Sequence, residues 1–269
     1  MKYSYEMRVA PTSNQGSLAL SSFVAATKGS RGYSFRNLFC LTFCLAVLAS
    51  PGTPVAGPAF ENEQLRYSIN WPSGLSLGEA QLDSSLQKTT ADAPSRLHLD
   101  FNVDAAIPGF AVSDRYRSQA SPDFCSIEFQ RKTTHGQKKT DETTDFNQHD
   151  GTATRETAGG GKSEFEISSC GRDALAFLYY VRRELSQGRI PPPQTVYFGG
   201  AYEVHLAFAG TQTIHLGDKQ VEADRVTASV KGSASDINFE VFFLKDAART
   251  PALVKVPLGL ATFSMELVR

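Results

Sequence analysis

Blocks of like charge are missing from this 269-residue sequence, in which 27 Lys and Arg balance 28 Asp and Glu. A nucleic-acid-binding protein needs a basic stripe that neutralises phosphates. A helix that lies on a membrane surface needs a basic amphipathic face. Neither pattern is present, so we expect no nucleic-acid partner and favour an uncharged small molecule or another protein.

Motifs of metal centres and of common hydrolases are also missing. The five histidines show no HExxH, HxH or CxxC spacing with their neighbours, and no G-x-S-x-G elbow occurs. We therefore predict no metal, no cofactor and no catalytic residue. Acidic residues on predicted strands keep a glycosidase-like carboxylate pair open as an alternative; they are Glu203, Glu222, Asp224 and Glu240.

No apolar run is long enough to cross a bilayer, which takes roughly 20 residues. The longest, Leu38 to Ala49, follows Arg31 and Arg36 and ends in small residues, which is typical of a secretory signal peptide. We predict that residues 1–56 are an N-terminal extension with a signal and that 57–269 form one domain. The mature protein would be periplasmic or secreted, and would contact a membrane only through an uncleaved signal.

Cysteine is scarce once the signal is removed, because only Cys125 and Cys170 remain. An even pair in an oxidising compartment indicates a disulfide. Two free thiols and a catalytic thiol are the alternatives, although neither cysteine has a His or a second Cys close to it in sequence.

Alternation of apolar and polar residues in short runs, separated by turn residues, dominates the chain from Phe60 onward. "QLRYSINW" is an example, and Gly199-Gly200 and Gly217-Asp218 have the composition of hairpin turns. The short connections favour antiparallel pairing of successive strands. We predict a mainly β fold, a single antiparallel β-meander curled into a barrel or half-barrel. Two segments depart from the pattern: 104–114 reads as an apolar loop and 151–164 as a mobile polar loop.

One helix is predicted, over residues 173–186, with Asp173 as its N-cap. At 100° per residue one apolar stripe forms, whereas Tyr179 and Arg183 point away from it. Arg182 is expected to form a salt bridge or to contact a carbonyl group. We interpret the helix as a plug on the sheet. The stripe comprises Ala174, Phe177, Leu178, Val181 and Leu185.

"DALAFLYYVR", within this helix, resembles the D-x-L-[ST]-x-x-Y-[YF]-x-R signature of the DUF3108 family of bacterial envelope proteins. Three other stretches are similar to that family in the same order, and they span nearly all of the mature chain: "FENEQLRYSINWPSGLSLGEAQL", "VSDRYRSQASPDFCSIEFQRKTTHGQKKTDETTDF" and "VFFLKDAARTPALVKVPLGLATFSMEL". Ala176 stands where the family usually has Ser or Thr, and Phe243 where Trp is common. The resemblance implies an envelope location and a curved β-sheet, but no catalytic residues.

Our leading hypothesis is a non-catalytic envelope protein that binds a lipid or another apolar molecule inside the curled sheet. The helix and the 104–114 segment would close the concavity, with Ile107, Phe110, Phe177 and Tyr180 as candidate ligand contacts. An assembly or scaffold protein that binds another envelope protein is the second hypothesis. A hydrolase acting on cell-wall glycan or peptide is the third, although we favour a binding protein over an enzyme.

Overall fold

Successive strands pair with one another along almost the entire chain, as the short polar turns between them predict. In the computed structural model of the protein, the residues described are 60–87, 95–107, 110–233, 236–258 and 261–268. They all belong to one compact unit, Thr53–Arg269. The predicted signal segment and the predicted boundary at residue 56 lie outside the described residues.

Fifteen strands and one helix make up the described part of the chain. The first half contains β1 (Glu63–Asn70), β2 (Ser76–Gln87), β3 (Arg96–Ile107), β4 (Phe110–Ala120), β5 (Ser126–His135), β6 (Lys138–Asn147), β7 (Thr152–Thr157) and β8 (Lys162–Glu166). The second half contains β9 (Arg172–Asp173), α1 (Ala174–Ser186), β10 (Gln194–Tyr197), β11 (Ala201–Leu216), β12 (Lys219–Lys231), β13 (Asp236–Leu244), β14 (Pro251–Leu258) and β15 (Ala261–Leu267).

All strands join one sheet, whose order runs from β8 down to β1, then from β15 down to β9. The two halves meet where β1 pairs with β15, with Tyr67 opposite Leu267. All neighbours are antiparallel except the short β9–β10 pair. The sheet curls but its hydrogen bonding does not close, because β8 and β9 are its two edges. The predicted curled antiparallel meander with one helix is confirmed.

The meander has two ends, because alternate connections lie at opposite ends of the strands. The turns after β1, β3, β5, β10 and β12 all lie at what we call the open end. The connections after β2, β4 and β11 lie at what we call the helix end, because α1 starts beside the last residues of β4 and finishes beside the first residues of β1. The helix therefore covers one end of the curled sheet.

Helix α1 matches the predicted span, and Asp173 is its N-cap. The prediction placed Tyr179 off the apolar stripe and did not anticipate that its side chain is fully buried. The helix has core on both sides: Leu175 and Tyr179 pack in the larger apolar cluster, and Phe177 and Val181 pack in a second one. A one-stripe pattern misses this burial because a helix that plugs a curved sheet is covered on several sides.

Both segments predicted to be loops are instead hairpins. Residues 104–107 end β3 and residues 110–114 begin β4, while the 151–164 segment contributes β7 and the start of β8. Pairing to neighbouring strands overrides the loop-like composition, because every backbone N–H and C=O inside a ladder finds a partner. The tips of the 104–114 hairpin, Pro108 and Gly109, lie outside the described residues. Phe198 joins the predicted Gly199-Gly200 turn, which therefore has three residues between its strands.

A disulfide joins Cys125 to Cys170, as predicted. It links the β4–β5 connection to the residues just before β9, so it lies at the helix end. Within the described part of the chain, no helix is long and apolar enough to cross a membrane.

Candidate ligand-binding cavity

An apolar cavity of about 530 Å³ lies between helix α1 and the concave face of the sheet. The helix contributes Phe177 and Val181, and both halves of the sheet contribute to the walls. Strand residues on the walls include Leu82, Phe101, Val204, Val226, Val241 and Phe243. The volume lies within the range of about 300–1,000 Å³ that is typical of small-molecule sites.

The period of two along each strand builds these walls. On β12 the residues Val226, Ala228 and Val230 face the cavity, and they pair with Val241, Phe239 and Ile237 of β13. Since alternate side chains of a strand point to opposite faces, the intervening residues face outward. The apolar lining of the cavity therefore corresponds in the sequence to alternate apolar positions on neighbouring strands.

None of the described residues that line the cavity is charged. Its polar atoms include three tyrosine hydroxyls, and two of these are already used. The Tyr67 hydroxyl donates to the Pro251 carbonyl oxygen at 2.9 Å, and the Tyr116 hydroxyl donates to Asp114 Oδ2 at 3.0 Å. Burial raises the pKa of both phenols, so they stay neutral. The lining thus suits an apolar ligand that needs few hydrogen bonds.

The first turn of the helix is held by the buried Asp173 carboxylate. Its Oδ1 accepts from the backbone N–H groups of Leu175 and Ala176, at 2.8 and 3.1 Å. Its Oδ2 accepts from the hydroxyls of Ser118 on β4 and Ser126 on β5, at 2.6 and 2.5 Å. Burial raises the pKa of Asp173, although these hydrogen bonds oppose the shift. Asp173 therefore joins the helix to the sheet as well as capping it.

The last turns of the helix are held by Arg182, whose side chain is fully buried. Its guanidinium makes two hydrogen bonds to Glu63 on β1 and donates through Nε to the Ala248 carbonyl oxygen at 3.0 Å. The rings of Phe60 and Tyr179 lie against the guanidinium, with its Cζ 4.6 and 4.7 Å from their centroids. Both forms of contact predicted for Arg182 are present, and they fix the helix at its second end.

Side chains of the β10–β11 turn connect the two halves of the sheet across its interior. Phe198 packs against Tyr116 and Phe129, and its ring lies under the Arg131 guanidinium at 5.4 Å. Arg155 on β7 donates to the Gly199 carbonyl oxygen. The turn requires glycine, because a Cβ at Gly199 would come within 2.7 Å of Arg131, and φ there is +68°. These contacts hold the β10–β11 turn against the inner face of β4, β5 and β7.

The candidate ligand contacts have different positions. Phe177 lines the cavity, whereas Tyr180 is not part of its lining and instead lies under the Arg172 guanidinium at 3.9 Å. Ile107 and Phe110 pair across the β3–β4 hairpin at the open end, and their side chains lie outside the described part. The lining residues on β11 to β13 were not predicted individually, although their alternating pattern is visible in the sequence.

The acidic strand residues of the hydrolase alternative each face a basic partner. Asp224 contacts Arg249 at 2.7 Å, and Glu240 contacts Arg225 at 2.5 Å. Glu203 contacts His205, and Glu222 contacts Lys245. No group of three or more His, Cys, Asp or Glu side chains suited to a metal occurs within the ranges the structure describes.

Comparison with solved structures finds a protein that is similar to this chain in fold. The β-barrel-like protein of domain of unknown function DUF1849 from Brucella abortus aligns with a TM-score of 0.54 and 8% identity, over 77% of this chain and 95% of that one. A protein with a YmcC-like fold from Bacteroides fragilis NCTC 9343 aligns with a TM-score of 0.35 and 8% identity, over 79% and 97%. At such identity the first match shows a shared β-barrel-like fold and nothing of function.

Sequence comparison identifies the family. A search of curated proteins found no match. The family model described as "Protein of unknown function (DUF3108)" matches residues 66–268, which is more than half of the chain. The matched residues include helix α1, its anchoring residues Asp173 and Arg182, and nearly all of the sheet that forms the cavity. Glu63, the partner of Arg182, lies just before the match. The chain therefore belongs to the DUF3108 family.

Proposed function

We propose that the protein is a non-catalytic binding protein of the cell envelope, which holds a lipid or another apolar molecule in the cavity beneath helix α1. The observation that carries this proposal is the cavity of about 530 Å³ whose described lining is aliphatic and aromatic without a charged side chain. A space of this size filled only with water would leave that apolar surface hydrated, which is unfavourable.

Burial of the ligand supplies the binding free energy. Each methylene transferred from water into an apolar site contributes about 0.8 kcal/mol. A chain of about ten methylenes would gain about 8 kcal/mol before the cost of ordering it. The hydroxyls of Tyr67 and Tyr116 already have acceptors within the protein, so they need no hydrogen bond from the ligand. The site would therefore select ligands by length and shape rather than by hydrogen bonding.

An oxidising compartment is consistent with the disulfide between Cys125 and Cys170, because cytosolic proteins rarely keep such a bond. Together with the predicted signal peptide in residues 1–56, this supports a periplasmic or secreted protein. Such a compartment provides lipids and lipid-linked precursors as ligands of the required chemistry.

The direct test is native mass spectrometry of the protein purified from a periplasmic extract without detergent, followed by organic extraction of whatever it carries. We expect a reproducible extra mass that is extracted as lipid. A bare mass, in protein that also fails to bind added fatty acid, would contradict the proposal and favour the scaffold hypothesis.

A matched pair of variants locates the ligand. Ala228 is buried and lines the cavity, whereas Ala207 is exposed on the outer face of the neighbouring strand. We expect Ala228→Phe to fill the cavity and abolish the extra mass, while Ala207→Phe retains it. Thermal unfolding of both variants checks that each is folded. A ligand retained by a folded Ala228→Phe protein would place binding elsewhere.

A further inference from the structure

The turn between β1 and β2 exposes apolar surface at the open end. Trp71 begins the turn, and its backbone N–H donates to the Leu75 carbonyl oxygen at 2.8 Å. Gly74 has φ of +84°, which allows the chain to reverse within these few residues. The result is that the Leu75 side chain is 64% exposed, one of the largest exposures of a big apolar residue in the described part.

The start of the same turn continues an apolar strand face that lines the cavity further along. The Trp71 and Phe263 rings meet edge to face, with centroids 4.9 Å apart. Two residues further along each strand, Ile69 pairs with Met265, and Met265 lines the cavity. Because residues two apart on a strand share a face, Trp71 and Phe263 extend the apolar wall of the cavity to its rim.

Among the residues that the structure describes, the helix end shows no comparable entrance. Helix α1 is fixed there by the buried hydrogen bonds of Asp173 at its start and of Arg182 at its finish. The disulfide between Cys125 and Cys170 closes the same end covalently. An apolar ligand would therefore enter between the turns of the open end, where the rim carries Trp71 and Leu75.

We propose that the open end docks on the surface of a lipid bilayer, with Trp71 and Leu75 inserted at the interface, so that ligand passes between membrane and cavity without crossing water. The identity of the cargo rests on the proposed function, whereas docking is a separate property of the surface. Tryptophan at a rim is suited to this place, because its ring is apolar and its N–H remains in the hydrated headgroup layer.

The charges around the rim give no electrostatic preference for an anionic bilayer. Exposed residues of both signs lie at this end of the strands; they are Lys138, Lys139, Lys231, Glu79, Asp104 and Asp236. With no excess of basic residues, attraction to anionic lipid contributes little. Docking should then depend on apolar insertion and respond weakly to salt.

Trp71 is the single tryptophan of the chain, so its fluorescence reports this turn alone. The experiment adds vesicles of pure phosphatidylcholine to the protein purified from a periplasmic extract. We expect the emission of Trp71 to move to shorter wavelength, and we expect lipids brominated in their acyl chains to quench it. Unchanged emission together with no sedimentation of protein with the vesicles would overturn the inference.

Two variants complete the test. Leu75→Asp should weaken vesicle binding about tenfold or more. The reason is that burial of one leucine side chain contributes at least the free energy that corresponds to a tenfold change in the dissociation constant. Val268→Asp is the control, because Val268 is 57% exposed but follows β15 at the helix end. Equal binding by the two variants would overturn docking through this rim. So would a blue shift that appears without vesicles and grows with protein concentration, which would mean that a second copy covers the turn.

Failure of this inference and failure of the proposed function give different results. Protein that carries extractable lipid but ignores vesicles overturns docking and leaves the binding function standing. Protein that binds vesicles through Leu75, yields no ligand in native mass spectrometry and fails to bind added fatty acid supports docking and contradicts the carrier role.

Discussion

Arg182 and Glu63 lie 119 residues apart in sequence and form a two-pronged ion pair inside the protein. The Nη1–Oε2 distance is 2.7 Å and the Nη2–Oε1 distance is 2.6 Å. The pair joins the last turns of helix α1 to the first residue of β1, at the end of the sheet that the helix covers. Arg182 is the last position of the family signature, so this part of the signature has a structural explanation.

Removing one member of this pair should destabilise the protein strongly. We expect Arg182→Ala to lower the free energy of unfolding by about 3–5 kcal/mol, because Glu63 would keep its charge in a poorly hydrated place. Urea denaturation followed by circular dichroism measures the change. Replacing both residues by leucine should cost less than the single change, since no uncompensated charge remains.

An exposed ion pair provides the matched control. Arg117 and Asp100 contact each other at 3.0 Å with largely hydrated side chains. Arg117→Ala should change the free energy of unfolding by less than about 1 kcal/mol. Similar losses in Arg117→Ala and Arg182→Ala would refute the special importance of the buried pair.

Asp173→Ala should cost more than an ordinary helix cap. Loss of a cap alone costs about 1 kcal/mol, and here the hydroxyls of Ser118 and Ser126 would also lose their acceptor inside the core. Each buried hydroxyl left without an acceptor adds about 1–3 kcal/mol, so we expect a total loss of at least about 3 kcal/mol in the free energy of unfolding, measured by thermal or urea unfolding. Ligand affinity should remain nearly unchanged, and a folded Asp173→Ala protein without ligand binding would contradict the structural role.

The pKa of Asp173 also predicts a pH dependence. Burial raises this pKa in the folded state above its value of about 4 in the unfolded chain. The folded protein then holds the proton more tightly, so this group stabilises it most below about pH 4. That contribution is lost as the pH rises through the folded-state pKa. The free energy of unfolding of Asp173→Asn, measured from pH 4 to 7, should lack this decline.

Gly78 is required by a close approach of two backbones. A Cβ there would lie 2.1 Å from the Asp104 carbonyl oxygen on the neighbouring strand. Gly78→Ala should therefore destabilise the protein by about 2–3 kcal/mol, as overpacking does. Gly159→Ala is the control, since a Cβ at Gly159 meets no atom within 4 Å. Equal melting temperatures of the two variants would exclude the backbone clash.

Reduction of the disulfide should loosen the helix end. The bond between Cys125 and Cys170 closes a loop of 45 residues, and such a constraint typically contributes about 2–4 kcal/mol. We expect a corresponding fall in the urea midpoint with dithiothreitol. The Cys125→Ser and Cys170→Ser double variant should unfold at the same midpoint with or without the reductant.

Local patterns were sufficient for the architecture. The period of two along "QLRYSINW" and its successors, with short turns, predicted an antiparallel meander, and the apolar positions from Ala174 to Leu185 predicted the single helix. Both are local consequences of backbone geometry. The pairing of Cys125 with Cys170 was favoured because the other two cysteines, Cys40 and Cys44, fall in the predicted signal segment.

Patterns failed where the surroundings of a residue come from distant parts of the chain. Tyr179 was expected only to point away from the apolar stripe, and its side chain is fully buried. The 104–114 and 151–164 segments were expected to be loops and are paired strands. In each instance the partner lies on another strand, which local periodicity does not contain.

The sequence by itself therefore determined most of the strands, the helix, their antiparallel order and the family, and it favoured the covalent link, because these depend mainly on residues near one another. Only the tertiary structure decided that Arg182 pairs with Glu63 and that the hydroxyls of Ser118 and Ser126 donate to Asp173. It alone brought the alternate residues of β11 to β13 opposite Phe177 around one apolar space. Curvature of the sheet is the physical reason, since it sets which inward-facing residues meet and how much volume they leave unfilled.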